Sequence, residues 1–197
     1  QNNQVYALTK GQFSPTTDKG RRTSTSPFGV IEEPIMPLAL TLAAGAGFVA
    51  RGAAFDPRYT AGLMAEAISH PGYALLDVLQ PCVSFNKINT YEWYRQRVYK
   101  VDDRSQGRSQ GRLADSSLGD RKPDDDQLAN SHDSGDFHAA MKLARERGDR
   151  IPLGVIYRRT EEPYHSSLPG LARGPLSARP LDDIGAEGFA RLMDEYA

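Results

Sequence analysis

The stretch YALLDVLQ, residues 73–80, is an almost unbroken apolar run of the length of one strand. A half-exposed strand alternates apolar and polar side chains, so a continuous run predicts a strand covered on both faces, as in a parallel sheet. Working back, the turn signal His70-Pro71-Gly72 precedes it. Before that, Asp56 caps and Pro57 opens a predicted helix whose Leu63, Met64, Ala67 and Ile68 recur at helical spacing. Phe48–Arg51 reads as a shorter strand. Ahead of it, a helix starts at Pro37, runs through LALTLAA and is closed by Gly45, which can adopt the left-handed conformation. QVYAL, residues 4–8, is a strand end that runs into a loop from Thr9 to about Met36, rich in Ser, Thr, Gly and Pro. Strand, helix, strand, helix, strand is the order of an α/β layer with a parallel sheet.

Composition limits what such a layer can be. The chain has 197 residues, 39% hydrophobic and 25% charged, enough for one sizeable core and a less ordered appendage. A net charge of −1 gives no field that would favour nucleic acid or an anionic membrane. No apolar run approaches the roughly 20 residues of a membrane span. The single cysteine, Cys82, excludes an internal disulfide framework and points to a reducing, cytoplasmic setting. Gln1 stands where a Met or a signal peptide is expected, so the sequence reads as the C-terminal part of a longer protein.

Beyond residue 100 the pattern changes. Residues 101–136 hold almost no large apolar side chains, carry KPDDDQ and repeat SQGR at Ser105–Arg108 and Ser109–Arg112, which predicts a solvated insert. DFHAAMKLARERG then predicts a helix with Phe137, Ala140, Met141 and Ala144 as a modest apolar stripe. The expected division is therefore an α/β domain over 1–80, a segment with Cys82 over 81–100, a hydrophilic insert over 101–136 and a partly disordered C-terminal extension over 137–197.

Several motifs have plain readings. GAGFVA, residues 45–50, has the glycine spacing of a dinucleotide fingerprint, but the predicted helix lies before it and the strand after it, the reverse of what that fingerprint needs. NTYEWYRQRVYK interleaves aromatic and basic residues as a single-strand nucleic-acid platform does. In a chain that is not basic, we read it as an aromatic anchor onto the domain or a partner subunit. The histidines His70, His132, His138 and His165 are scattered and none pairs with Cys82 at zinc-site spacing.

The opening loop is different in kind. In an α/β sheet, ligands gather at the carboxyl ends of strands, which is where the loop after QVYAL would lie. Asn3 offers a side-chain carbonyl and Val5 a main-chain carbonyl, both hard oxygen donors suited to Mg²⁺ or Ca²⁺. Thr9, Lys10 and Gln12 add a hydroxyl, a cation and an amide, and Gly11 permits close backbone approach. The string NNQVYALTKGQFSPTT, followed in order by PLALTLAAGAGFVARG, LLDVLQPCVSFN and NTYEWYRQRVYKV, closely resembles the thiamine-diphosphate-binding β subunit of the 2-oxoacid:ferredoxin oxidoreductases. The resemblance is nearly continuous over residues 1–100 and weaker at IPLGVIY.

That resemblance implies a fold, the C-terminal part of a thiamine-diphosphate-binding α/β domain, and a set of site residues. Asn3 and the main-chain oxygen of Val5 match ligands of the Mg²⁺ that bridges to the cofactor's diphosphate. Leu8 and Thr9 fall beside the cofactor, and Lys10 falls where a basic residue can pair with a carboxylate of the 2-oxoacid. PCVSFN matches the segment that donates the last thiolate, here Cys82, to a [4Fe-4S] cluster, which a single cysteine cannot hold. The acidic GDG motif and the other three cluster cysteines have no counterpart after Gln1, so the expected activity needs them together with an α subunit. The implied reaction is oxidative decarboxylation of a 2-oxoacid to an acyl-CoA and CO₂, with electrons passed to ferredoxin. LTKGQ before SPTT is closer to the 2-oxoglutarate branch than to the pyruvate branch. The alternative is an α/β interaction module that keeps the fold without the chemistry.

Overall fold

The computed structural model describes residues 1–103, 131–171 and 185–195. The SQGR repeats and KPDDDQ lie outside the described residues. The described chain falls into two compact units, Gln1–Glu161 and Glu162–Ala197.

The first unit begins with a small antiparallel hairpin, β1 (Val5–Tyr6) and β2 (Gln12–Phe13). After the long loop comes α1 (Pro37–Ala43), with Pro at its start and Gly45 at φ 90° just beyond its end, as the sequence predicts. Then follow β3 (Phe48–Ala53), α2 (Pro57–Ser69) and β4 (Ala74–Leu79), with β3 and β4 parallel. Asp56 caps α2 by accepting from the Tyr59 N–H at 3.2 Å. The Thr60 hydroxyl clips α2 to the end of β3, donating to the Ala53 carbonyl at 2.8 Å and accepting its N–H at 2.9 Å.

Further on are α3 (Tyr91–Arg95), β5 (Val98–Lys100), the short parallel pair β6 (Asp102–Asp103) and β7 (Ser131–His132), α4 (Phe137–Ala144) and β8 (Ile151–Arg158). The main sheet has the order β4-β3-β8-β5. Its parallel pairs, β3 with β4 and β5 with β8, realise the expected α/β layer, while β8 joins β3 antiparallel with a register shift at Val49/Ala50. A boundary at residue 137 therefore cuts through this unit: α4 and β8, expected in the extension, supply its central strand and one covering helix. The cause lies in IPLGVIYR itself, which is buried from Ile151 to Tyr157 and finds an apolar slot only inside the sheet.

The burial of β4 also departs from expectation. YALLDVLQ lies at the sheet edge and is half-buried along most of its length, whereas β3 is buried throughout. On α2, Leu63 packs against Phe48, Ala50 and Val155, with Ala67 partly buried beside them. Met64 and Ile68 lie farther round the helix and are 48% and 79% exposed. On the other face α1 and α4 bring Leu38, Leu42, Ala140 and Ala144 against Val49 and Ile156. The aromatic-basic block turns inward, as the anchor reading expected. Tyr94 is buried, the Tyr99 hydroxyl donates to Glu146 at 2.6 Å, and Lys100 pairs with Asp56 at 2.9 Å.

The GAGFVA segment has a packing role. Any side chain on Gly47 would run into Glu161 and His70, so the chain passes close beneath the His70 turn. The His70 imidazole is 6% exposed and stands 4.0 Å from Glu161. Burial holds its pKa below the ordinary value, opposed by Glu161 and reinforced by Arg158 and Arg159.

The second unit contains the 3-10 turns Tyr164–Ser167 and Pro169–Leu171 and the helix α5 (Gly185–Glu195). Among the described residues no helix is long and apolar enough to cross a membrane.

Two outcomes follow. Arg51 and Asp77, direct neighbours across β3 and β4, form a buried ion pair at 3.0 Å. Asp77→Ala leaves the guanidinium buried without its counter-charge and is expected to cost about 3–5 kcal/mol in denaturant unfolding, most of which the double variant Arg51→Met/Asp77→Leu recovers. Because the unfolded chain takes up the His70 proton at a higher pH than the folded one, stability falls as pH drops through the imidazole range near ~6.5. His70→Gln is expected to flatten that fall in unfolding midpoints measured from neutral to mildly acid pH, and an unchanged slope would refute it.

Candidate functional site

Two hydrogen bonds bring the opening loop to the carboxyl end of β4. The Asn2 N–H donates to Val78 O at 2.8 Å, and the Gln80 N–H donates to Asn2 O at 2.9 Å, so Asn2 bridges parallel to Leu79. The loop after β4, which carries Cys82, leaves from the same place. Both sequence-predicted clusters thus meet at the end of the sheet where α/β proteins hold ligands.

Asn3 is half-buried and its Oδ1 accepts from the Val5 N–H at 3.2 Å, a short Asx turn that aims the side-chain oxygen along the loop. Gln4 adopts φ 61°. Its carbonyl accepts from the Thr17 hydroxyl at 2.5 Å, and its Oε1 is buried with no hydrogen-bond donor among the described residues. Asn2 Oδ1 accepts from the Thr16 hydroxyl at 2.8 Å, so SPTT packs onto the Asn-Asn turn. A side-chain amide oxygen on Asn3 and an unpaired buried oxygen on Gln4 are chemically suited to a hard dication.

Val5 is buried in the hairpin, whereas Leu8, Thr9 and Lys10 lie exposed at its tip. The Thr9 hydroxyl donates to Gln12 Oε1 at 2.8 Å, and Lys10 takes φ 94° with its carbonyl accepting from Ser24 Oγ at 3.3 Å. Leu8 is fully solvent-exposed at the hairpin tip.

Cys82 is buried in a turn of its own. The Phe85 N–H points at its Sγ at 3.4 Å and the Asn86 N–H donates to its carbonyl at 3.1 Å. Burial pushes the thiol pKa up. The backbone N–H groups of Phe85, Asn86 and Ser84, with the Lys87 charge, outweigh burial and hold it below the usual value. A thiol biased toward thiolate by main-chain donors fits a ligand of a soft metal centre.

Asn86 joins the clusters. Its Nδ2 donates to Asn3 O at 3.3 Å and to Asn89 Oδ1 at 3.2 Å, and its Oδ1 accepts from the Asn89 N–H at 2.8 Å. Sequence reading missed Asn86, Asn89 and their partner Arg21, since loop polar residues announce nothing until the fold buries them. The SFN of PCVSFN was the one available pointer.

Comparisons with known proteins bear on the family and the fold. Residues 1–78 match the thiamine pyrophosphate enzyme C-terminal TPP-binding domain, and residues 82–111 and 125–173 match the C-terminal region of the pyruvate ferredoxin oxidoreductase β subunit. The match over residues 1–78 puts the fold in the thiamine-diphosphate-binding class. The chain belongs to the 2-oxoacid:ferredoxin oxidoreductase β-subunit family, an oxidoreductase family. It is 40% identical over 156 residues to 2-oxoacid:ferredoxin oxidoreductase subunit beta of a Sulfolobus species, covering 79% of this chain and 46% of that one. It is 41% identical over 85 residues to the 2-oxoglutarate oxidoreductase subunit KorB of Mycobacterium tuberculosis, covering 43% of this chain and 23% of that one. A 2-oxoglutarate:ferredoxin oxidoreductase from Magnetococcus marinus, solved with 2-oxoglutarate, coenzyme A and succinyl-CoA bound, superposes with a TM-score of 0.67 at 30% identity, covering 90% of this chain and 56% of that one. The chain spans about half the length of the 2-oxoacid:ferredoxin oxidoreductase β subunits it matches.

Gly11 is where the hairpin touches the Cys82 turn. It sits at φ 80°, and a Cβ there would lie 2.6 Å from the Phe85 ring. Gly11→Ala is expected to cost at least about 1–2 kcal/mol from the left-handed backbone alone, a Tm loss of roughly 2–8 °C. Adding Phe85→Ala removes the ring contact but leaves its Cβ, 2.7 Å from the new methyl, so it should recover only part of the excess. Full recovery would show that the backbone carries no strain.

Proposed function

We propose that this chain supplies the cation-binding loop and one iron–sulfur ligand of a 2-oxoacid:ferredoxin oxidoreductase that acts, with an α subunit, on 2-oxoglutarate. The meeting of the Asn3 turn and the Cys82 turn through Asn86 supports this reading more than any single residue does. The KorB relatives and the Magnetococcus marinus enzyme favour 2-oxoglutarate, coenzyme A and ferredoxin as substrates and acceptor.

Asn3 and the main-chain oxygen of Val5 would hold Mg²⁺ against a diphosphate, with Leu8 and Thr9 beside the cofactor. Cys82 would give one thiolate to a [4Fe-4S] cluster completed by cysteines outside this sequence. When bound, thiamine diphosphate supplies the carbanion chemistry of decarboxylation and the cluster carries single electrons. Lys10, exposed at the hairpin tip, would pair with the distal carboxylate of the oxoacid and so orient it.

The test is anaerobic coexpression of the complete subunit with its α partner. Iron content, visible cluster absorption and CoA-dependent dye reduction with 2-oxoglutarate are then read in wild type, Cys82→Ser and Lys10→Ala. Cys82→Ser is expected to lose cluster and turnover. Lys10→Ala is expected to lose roughly tenfold or more in kcat/KM for 2-oxoglutarate, the size of one charge-assisted pair, and less for pyruvate. Equal loss on both acids removes the substrate role of Lys10. A wild type without cluster or turnover moves the non-catalytic module ahead.

A further inference from the structure

At the end of the sheet away from the candidate site lies a cavity of about 430 Å³, whose wall includes Glu66, Ser69, His70, Arg158, Arg159 and Thr160. It sits on the first rung of the sheet, where Phe48 opens β3 and stands opposite Arg158, the last residue of β8. The Asn2 anchor is at the other end of β4, about 16 Å away along the strand. The Arg158 guanidinium lies over the Phe48 ring at 5.1 Å, and the His70 imidazole packs on the same ring at 5.6 Å. One aromatic ring thus fixes both basic side chains at one wall.

The polar groups of that wall are incompletely paired. The His70 side chain is 6% exposed, yet its Nε2 has no hydrogen-bond partner among the described residues, and neither has the buried Nε of Arg158. A Glu161 carboxylate oxygen stands 4.0 Å from His70 Nε2, beyond hydrogen-bond reach, and Arg159 Nε already donates to that carboxylate at 2.6 Å. Glu66 is likewise taken by Arg158. Buried donors without acceptors are costly, so an open cavity beside them suits a ligand that brings acceptors.

Charge decides which ligand. Arg158 with Glu66 and Arg159 with Glu161 are two balanced pairs, so the wall is neutral as long as His70 is neutral. Of these groups only the imidazole changes charge near neutral pH. Burial holds its proton affinity down, Glu161 opposes this, and Arg158 and Arg159 reinforce it. An anion in the cavity offsets the two arginines and lets His70 take up a proton from the medium. The wall then carries one positive charge more than it has carboxylates, which matches a monoanion and falls short of a phosphate dianion. Ala65 and Pro71, also in the wall, leave room for a short apolar body.

We infer that this cavity binds a small monocarboxylate against Arg158 and His70. The site is separate from the loops that carry Asn3 and Cys82, and the inference does not depend on the oxidoreductase reading.

The experiment is calorimetric titration of the complete subunit with sodium acetate at fixed ionic strength, from neutral to mildly acid pH, in buffers of different ionisation heat that count the protons taken up. Inorganic phosphate is the second probe. The expected result is an acetate affinity that rises as pH falls through the imidazole range, by at most about tenfold per pH unit for one linked proton, with phosphate bound more weakly. His70→Gln keeps a donor but cannot take the proton, and is expected to lose the rise. Arg158→Lys keeps the charge without the Nε donor and is expected to bind acetate roughly tenfold more weakly, the size of one charge-assisted hydrogen bond. Absence of acetate binding, an affinity independent of pH, phosphate bound as tightly as acetate, or a rise that persists in His70→Gln overturns the assignment. If His70→Gln does not fold, Arg158→Lys decides: weaker binding supports the site, and unchanged binding overturns it.

Discussion

The site depends on two main-chain hydrogen bonds, those joining Asn2 to Val78 and Gln80 at the end of β4. They add one residue of parallel ladder to the sheet edge and so fix where the opening loop starts. From that anchor the Asn3 turn, the strained Gln4 and the SPTT segment follow at short range. The Cys82 turn, leaving β4 one step later, has little choice but to face them. The sheet therefore sets the position of the site, and the loops furnish its chemistry.

Two buried arginines divide the polar work. Arg51 is neutralised by Asp77 inside the sheet, a pair that holds β3 and β4 in register among apolar neighbours. Arg21 sits outside the sheet on the amide oxygens of Asn86 and Asn89, its position fixed by that two-pronged geometry. The first arrangement is closed to any ligand. The second ties two loops together through neutral partners.

Much of the fold was legible because local signals and tertiary outcome agree. Pro37 and Gly45 bracket α1, Asp56-Pro57 opens α2, and the apolar run at 73–80 is β4. The face of α2 was read one position too wide: Thr60, Leu63 and Ala67 meet the sheet, while Met64 and Ile68 do not. Insertion of β8 between β3 and β5 was not legible, since its partners lie far back in the chain and no local pattern encodes antiparallel entry. Within the site, Asn3, Val5, Thr9 and Lys10 stood out by the donor chemistry of the opening loop, while Leu8 and Cys82, and the particular roles of all six, came from family resemblance. Arg21, Asn86 and Asn89 stayed silent because their importance arises from burial across 65 and 68 residues of sequence.

The position of β8 also governs when this unit can form. Until residues 151–158 leave the ribosome, β3 has one unpaired side and β5 has no partner in the main sheet. The parallel β3-α2-β4 unit must then wait with an apolar edge open, a state prone to wrong pairing between nascent chains. Pairings this distant in sequence also slow folding in free solution. Synthesis of the last central strand, rather than of the site loops, is the commitment step for this half of the molecule, and its folding yield should be most sensitive to chaperone supply in that interval.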